Sequence, residues 1–249
     1  MLRLLLAAQA PLWEKARRQQ GEWLSAQEAA RLEEMRAEWR RREFLACRYG
    51  LRAVLSDGDT QLSDWRLSAD FGRAPGVLSC GNGRRAFAEG LFLSLTHSRG
   101  YLMCACAPYA LGVDMELIPF RRPGDALDRA HFFCSEHEFQ ALLSRPQGAA
   151  RMEAFCDYWV LKEAFFKLVG TGLDFGKIKR ITCQPAGALE NSMKPLGHAW
   201  LWKSECGSGG KLVCALCTFR EIEPQEIEFL PHLRNGVTLD MPQKWALVE

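Results

Sequence analysis

The chain has 249 residues, 48% hydrophobic and 25% charged, with a formal net charge of +2. That length holds one large domain or two ordinary ones with ample core, and the charge is too mild to argue by itself for a nucleic-acid or membrane-surface partner, neither of which is expected, so any basic site must be local. No apolar run reaches the 18 residues of a spanning helix, and the 10 cysteines, scattered singly through apolar segments, fit buried thiols in a reducing cytoplasm rather than a disulfide frame.

The N-terminal MLRLLLAAQAPLW resembles a signal peptide only superficially. Gln9 and Pro11 interrupt its apolar core, so a first β-strand is expected instead. Residues 25 to 55 read as helix: a Ser that can cap, Gln and Glu early, and basic residues late, as the helix dipole prefers. Within it Arg41, Arg48 and Arg52 fall at intervals of seven and four and share a stripe with few acids at i±4. That stripe is either a solvated face or part of a site, and the spacing leaves both open.

From 56 to 90 the chain is rich in Gly, Asp, Ser and Arg and reads as loops around at most one short strand. LFLSLTHSRGYLMCACAPYALGVDMELI then alternates with turn signals at SRG and APYA, which predicts a three-stranded meander. Helices are expected within 123 to 148 and over AFCDYWVLKEAFFKLVG, stopped by Gly170 and Gly172. Strands near 178 to 184, 197 to 204 and 211 to 219 precede a Pro-containing acidic tail. In the last of these strands Cys214 and Cys217 have CxxC spacing, but three residues apart on a strand they face opposite sides and share no metal. This order of elements, with antiparallel connections, predicts an α+β fold.

Two stretches carry chemistry. In ALGVDMELI a strand sets Leu111, Val113, Met115 and Leu117 on one face and Asp114 and Glu116 on the other, about 7 Å apart. Acids are poor strand formers, and two oxygen ligands at i and i+2 can converge on a hard divalent cation. In WVLKEAFFK the wheel puts Tyr158, Leu161, Phe165 and Leu168 on a core stripe and Trp159, Glu163 and Lys167 almost opposite. A helix apolar nearly all round is buried on two sides, and charges there need partners. Glu163 as a third carboxylate on the cation held by Asp114 and Glu116, with Lys162 and Lys167 beside an anionic substrate, meets that need. The set describes a Mg²⁺-diphosphate site, and no P-loop or GxGxxG accompanies it.

Taken in this order, the residues resemble the 4′-phosphopantetheinyl transferase superfamily, specifically its longer, Sfp-like branch. GVDME at 112 to 116 is similar to the family's G(I/V)DxE motif, and WVLKEAFFKLVGTGL at 159 to 173 to its WxxKEAxxKxxGxGL motif. FLSLTHS at 92 to 98 resembles F(N/S)(L/I)SHS, with Thr96 in place of the usual Ser, and REFLACRYGLR at 42 to 52 resembles its N-terminal arginine helix.

The resemblance implies two similar α+β halves related by a pseudo-twofold, antiparallel sheets with packed helices, divided here as 1–111 and 112–249. It implies a cytoplasmic monomer that transfers the 4′-phosphopantetheine arm of coenzyme A to a serine of an acyl or peptidyl carrier protein and releases 3′,5′-ADP. By the same resemblance Asp114, Glu116 and Glu163 would hold Mg²⁺, Thr96 and His97 would contact CoA phosphates, and Lys162 and Lys167 would flank the diphosphate. Arg48 and Arg52 are candidates for the nucleotide. The family's GKP grip on the 3′-phosphate has here only Gly83, Arg84 and Arg85, and the serine's base would be Glu138 or Glu136. Two rivals are a Mg-dependent CoA or nucleotide phosphohydrolase, which would share the acids and lysines but need no protein partner, and an inactive carrier-protein binding module, which would be expected to have lost an acid or a lysine that this sequence keeps.

Overall fold

The apolar N-terminal run forms the expected strand. In the computed structural model, which describes residues 1–19, 23–56, 61–81, 90–119, 126–190, 192–206, 210–230 and 239–249, the elements begin with β1 (Leu2–Ala8), α1 (Gln9–Arg17), α2 (Ala26–Glu34), α3 (Glu38–Leu55), β2 (Trp65–Leu67), β3 (Val77–Cys80), β4 (Phe92–Ser98) and β5 (Tyr101–Ala107). They continue with β6 (Leu111–Pro119), α4 (Ala126–Ala130), α5 (Glu136–Leu143), α6 (Ala149–Val169), β7 (Thr182–Pro185), β8 (Gly197–Cys206), β9 (Gly210–Thr218), β10 (Ile227–Phe229) and β11 (Gln243–Val248). The fold is α+β: β1 pairs in parallel with β10, and the β1–β5, β4–β5, β2–β3, β7–β11, β8–β11 and β8–β9 pairs are antiparallel.

The chain divides into two units, Met1–Leu111 with Gln225–Asn235, and Gly112–Pro224 with Gly236–Glu249. The excursion of 225–235 into the first unit has a simple cause: β10 adds to the edge of β1, pairing Leu2 with Ile227 and Leu4 with Phe229. The first unit holds the sheet β10-β1-β5-β4 and the small sheet β2-β3. Leu5, Leu12, Leu51, Trp65, Leu102 and Cys104 are among the buried side chains of its core. The β4–β5 hairpin turns on Arg99 and Gly100, both at positive φ (45° and 89°), the paired left-handed geometry that suits the twist of a two-residue hairpin.

Four expectations are corrected. Residues 25 to 55 form two helices, not one: the Ser25–Glu28 capping box starts α2 as read, but Met35 turns extended, and the Arg41 guanidinium donates to the carbonyls of Leu32 (2.6 Å) and Met35 (3.4 Å) where α2 ends. The 56 to 90 region carries two strands, because β2 finds a partner in β3. The three-stranded meander stops after two strands, since β6 joins the other sheet, β6-β9-β8-β11-β7. The acidic tail contains β10 and β11, the latter seated between β8 and β7.

In the second unit, α6 is buried on nearly all sides from Ala154 to Leu168, with Trp159, Glu163 and Lys167 left half-buried as a stripe at i, i+4 and i+8. Gly170, left-handed at φ 77°, ends it as expected. All ten cysteines are free thiols; Cys80 is half-buried and the other nine are buried. Among the described residues, no helix is long and apolar enough to cross a membrane.

Candidate functional site

Alternation along β6 buries Leu111, Val113 and Met115 and places Gly112, Asp114 and Glu116 on one face. That face is turned towards α6. A Cβ at Gly112 would lie 1.9 Å from the Ala164 carbonyl oxygen and 2.5 Å from the Leu168 nitrogen, so only glycine lets the helix backbone come this close to the strand. The close approach delivers Lys167 to Asp114, whose Oδ1 accepts a 2.7 Å bond from Nζ. The two motifs singled out in the sequence therefore meet through direct side-chain contact.

Glu163, one helical turn before Lys167, shares the field of the strand's acids. Its carboxyl is raised by burial and by Asp114, lowered by Lys167, and raised again by Glu116. The field extends to neighbouring thiols: burial pushes Cys156 up to about 12 with Glu116 as the next cause, and burial with the charge of Asp114 raises Cys214 and Cys217. Asp114, Glu116 and Glu163 thus share one electrostatic field, into which Lys167 brings a positive charge.

A divalent cation fits the chemistry of this donor set, which is all oxygen. The fit rests on donor type and mutual field, because among the described residues no three such side chains stand close enough to enclose an ion as placed. Lys167 supplies the positive charge that Asp114 meets in this arrangement.

Lys162 and Glu138 are placed elsewhere. Lys162 is fully buried, and its Nζ donates to Glu138 Oε2 (2.6 Å), the Phe133 carbonyl (2.8 Å) and the Ile178 carbonyl (3.0 Å). Glu138, also fully buried, accepts from the Ser135 amide at the start of α5 and from the Cys183 amide of β7. Every ammonium proton of Lys162 is thus engaged and the Glu138 carboxylate is tied to three donors, so the two side chains are committed to each other in the interior of this unit. The sequence carried a signal for this: Ser135-x-x-Glu138 is a capping box, and Lys162 lies four residues after Tyr158 and three before Phe165, on the core side. Glu136, the other candidate base, is exposed at the first turn of α5 and accepts a bond from Gln140.

The arginine stripe is also largely internal. Arg52, fully buried, binds Glu28 through both terminal nitrogens (2.9 and 2.6 Å), donates to the carbonyls of Leu62, Trp65 and Arg48, and stacks 5.1 Å from the Trp23 ring. Arg48 donates to the Ser68 carbonyl, lies 3.6 Å from Glu28 and stacks on Phe44, while burial lowers its affinity for its proton. Their acid is Glu28, on a different helix, which spacing at i±4 does not reveal. Arg52 is placed as a buried core ion pair with Glu28.

On β4, Thr96 is buried and His97 exposed, with His97 Nδ1 3.5 Å from Glu43 Oε2 on α3. Arg84 and Arg85 lie outside the described residues. A further network escaped the sequence reading: Lys203 on β8 donates to Glu153 and Asp157 of α6 (2.8 Å each), and Lys211 on β9 to Glu153 (2.7 Å). It joins residues some 50 positions apart, which no local periodicity reports.

Residues 110–217, which include the strand and helix of this site, match the family model described as the 4′-phosphopantetheinyl transferase superfamily. The chain is 36% identical over 99 residues to the 4′-phosphopantetheinyl transferase psf-1 of Bacillus pumilus, covering 39% of this chain and 40% of that one. It is 30% identical over 152 residues to the 4′-phosphopantetheinyl transferase HetI of Nostoc sp. strain PCC 7120, covering 60% and 61%. The chain thus spans two-fifths and about three-fifths of the lengths of these curated relatives. The resemblance of the two motifs to this superfamily is borne out over the segment that carries them.

Proposed function

We propose that the protein transfers the 4′-phosphopantetheine group of coenzyme A to a serine of an acyl or peptidyl carrier protein, releasing 3′,5′-ADP. The observation that supports this reading above all is the contact of Lys167 with Asp114, beside Glu163, within the segment similar to phosphopantetheinyl transferases. Asp114, Glu116 and Glu163 would hold Mg²⁺. When bound, that ion supplies charge neutralisation at the diphosphate, whose leaving oxygen gains charge as the phosphorus is attacked.

The chain's own residues do the rest. Gly112 fixes the distance between strand and helix, and so the separation of Asp114 from Lys167. The Lys167 ammonium, half-buried and in contact with Asp114, lies in a partly dry setting where it acts more strongly on an anionic oxygen than it would in water. Lys162, bonded to two carbonyls and to Glu138, anchors α6 and thereby the position of Glu163. His97 and Thr96 would meet CoA phosphates. With Glu138 committed to its own bonds, Glu136 or water is left to take the serine proton.

The experiment is intact-mass analysis of apo carrier proteins, of both the fatty-acid and the synthetase type, incubated with the protein, CoA and Mg²⁺. The reading expects one phosphopantetheine per carrier and an equal amount of 3′,5′-ADP. CoA breakdown at the same rate with no carrier present would replace it with the phosphohydrolase reading.

A further inference from the structure

The buried ammonium of Lys162 does more than neutralise Glu138. Its Nζ donates to the Phe133 carbonyl (2.8 Å) and to the Ile178 carbonyl (3.0 Å), so a single interior charge pins two surface turns, 131–133 and 175–180, side by side. In each turn the pinned residue points inward and its neighbours do not. Phe133 and Ile178 are buried, whereas Phe132 is 65% exposed and Lys177, Lys179 and Arg180 are exposed. The charge of Lys179 reaches the other turn: burial and then Glu138 push the Cys134 thiol up to about 12, against the pull of Lys162 and Lys179.

The surface made by this junction combines an aromatic side chain with uncompensated positive charge. Asp174 lies 3.6 Å from Lys177, while Lys179 and Arg180 meet no carboxylate among the described residues. A projecting aromatic ring is a common anchor of protein interfaces, and cations at the rim select a partner that carries carboxylates. Because Lys162 already fixes the backbone on both sides, a partner that covers this surface has little ordering to offset. The surface is also continuous with the candidate site. The Phe133 ring meets the Trp159 ring edge-on at 5.0 Å, and Trp159 begins the half-buried stripe that continues to Glu163 and Lys167.

We propose that Phe132, Lys179 and Arg180 form the docking surface for the protein substrate, a carrier that presents carboxylates around an apolar side chain. The inference rests on the transferase reading, in which a carrier serine must come to the acids of β6 and α6. It gives these three residues a role in affinity for the carrier and none in CoA binding or the chemical step.

The test uses the full chain and three variants: Phe132→Ala, the double charge reversal Lys179→Glu with Arg180→Glu, and the charge-keeping exchange Lys179→Arg with Arg180→Lys. Two readouts are taken. The first is the Kd for apo carrier proteins of the fatty-acid and synthetase types, measured by calorimetry without CoA, so that no turnover enters. The second is the KM for CoA and kcat at saturating carrier, with urea midpoints confirming that each variant is as stable as the wild type. The charge reversal is expected to weaken binding of the better carrier roughly tenfold, and to lose that effect in high salt, as rim charges do. Phe132→Ala should weaken it roughly thirtyfold, the scale of an interface anchor, and the charge-keeping exchange should stay near the wild type. The KM for CoA and kcat should not move. An unchanged carrier Kd in either Phe132→Ala or the charge reversal overturns the proposal, as does a raised KM for CoA, which would assign the cations to the phosphates of the co-substrate. Wild-type protein that modifies no carrier overturns the transferase reading itself, whereas a wild type that modifies carrier beside unaffected variants removes the docking surface alone.

Discussion

Replacing Gly112 by alanine would test the link between fold and site. The added Cβ would sit 1.9 Å from the Ala164 carbonyl oxygen, about 1.5 Å short of the 3.4 Å at which ordinary contact begins, and 2.5 Å from the Leu168 nitrogen. Both obstacles are helix backbone and cannot rotate aside, so α6 must move off β6. Overpacking of a buried contact costs about 1 to 3 kcal/mol, and this one belongs at the upper end or beyond because no side chain can give way. The same displacement separates Lys167 from Asp114, and a misplacement of about 1 Å at a reacting centre costs roughly 100-fold in rate. Urea unfolding would give the first quantity and the initial rate of carrier modification the second. Gly187→Ala, where the new atom meets nothing within 4 Å, is the control and should be nearly neutral. A Gly112→Ala protein with the wild-type unfolding midpoint and rate would refute the argument that this contact builds the site.

Lys162→Met should destabilise by about 3 to 5 kcal/mol in urea, because it leaves Glu138 charged in the interior, and adding Glu138→Leu should return much of that; a single variant as stable as the wild type would contradict the buried pair. Burial pushes the Asp157 carboxyl from 3.8 up to about 6 against the pull of Lys203. The folded chain therefore binds that proton more tightly than the unfolded one, so the stabilising contribution is full below pH 3.8 and is lost as pH rises through about 6. At about 1.4 kcal/mol per pH unit this is on the order of 3 kcal/mol, so Asp157→Asn should gain on the wild type by up to that amount between about pH 4 and about pH 7.5. An unfolding difference that stays flat over this range would show that Asp157 does not titrate there.

The parts of the structure that were legible in the sequence are those fixed by local rules. The cap at Ser25 and Glu28, the Arg99–Gly100 turn, the stop at Gly170 and the face shared by Asp114 and Glu116 each depend on residues within a few positions of one another. The wheel over 159 to 167 isolated Trp159, Glu163 and Lys167 as the face apart from the core, and the structure leaves these three half-buried. It did not separate Lys162 from Lys167, because the partner that draws Lys162 inward is Glu138, 24 positions earlier. Arg52 was ambiguous for the same reason, its acid being Glu28 on another helix. β10 went unread because its pairing with β1 spans some 225 residues and its three-residue length gives no period.

The central claim is that the acids of β6 and α6 form the centre of phosphopantetheine transfer. It is tested most directly by incubating an apo carrier protein with CoA, Mg²⁺ and either wild-type protein, Asp114→Asn or Glu163→Gln, with circular dichroism confirming that all three are folded. The account predicts that the wild type adds one phosphopantetheine per carrier and that both variants lose Mg-dependent transfer while keeping the wild-type spectrum. Folded variants that modify the carrier at the wild-type rate would contradict it.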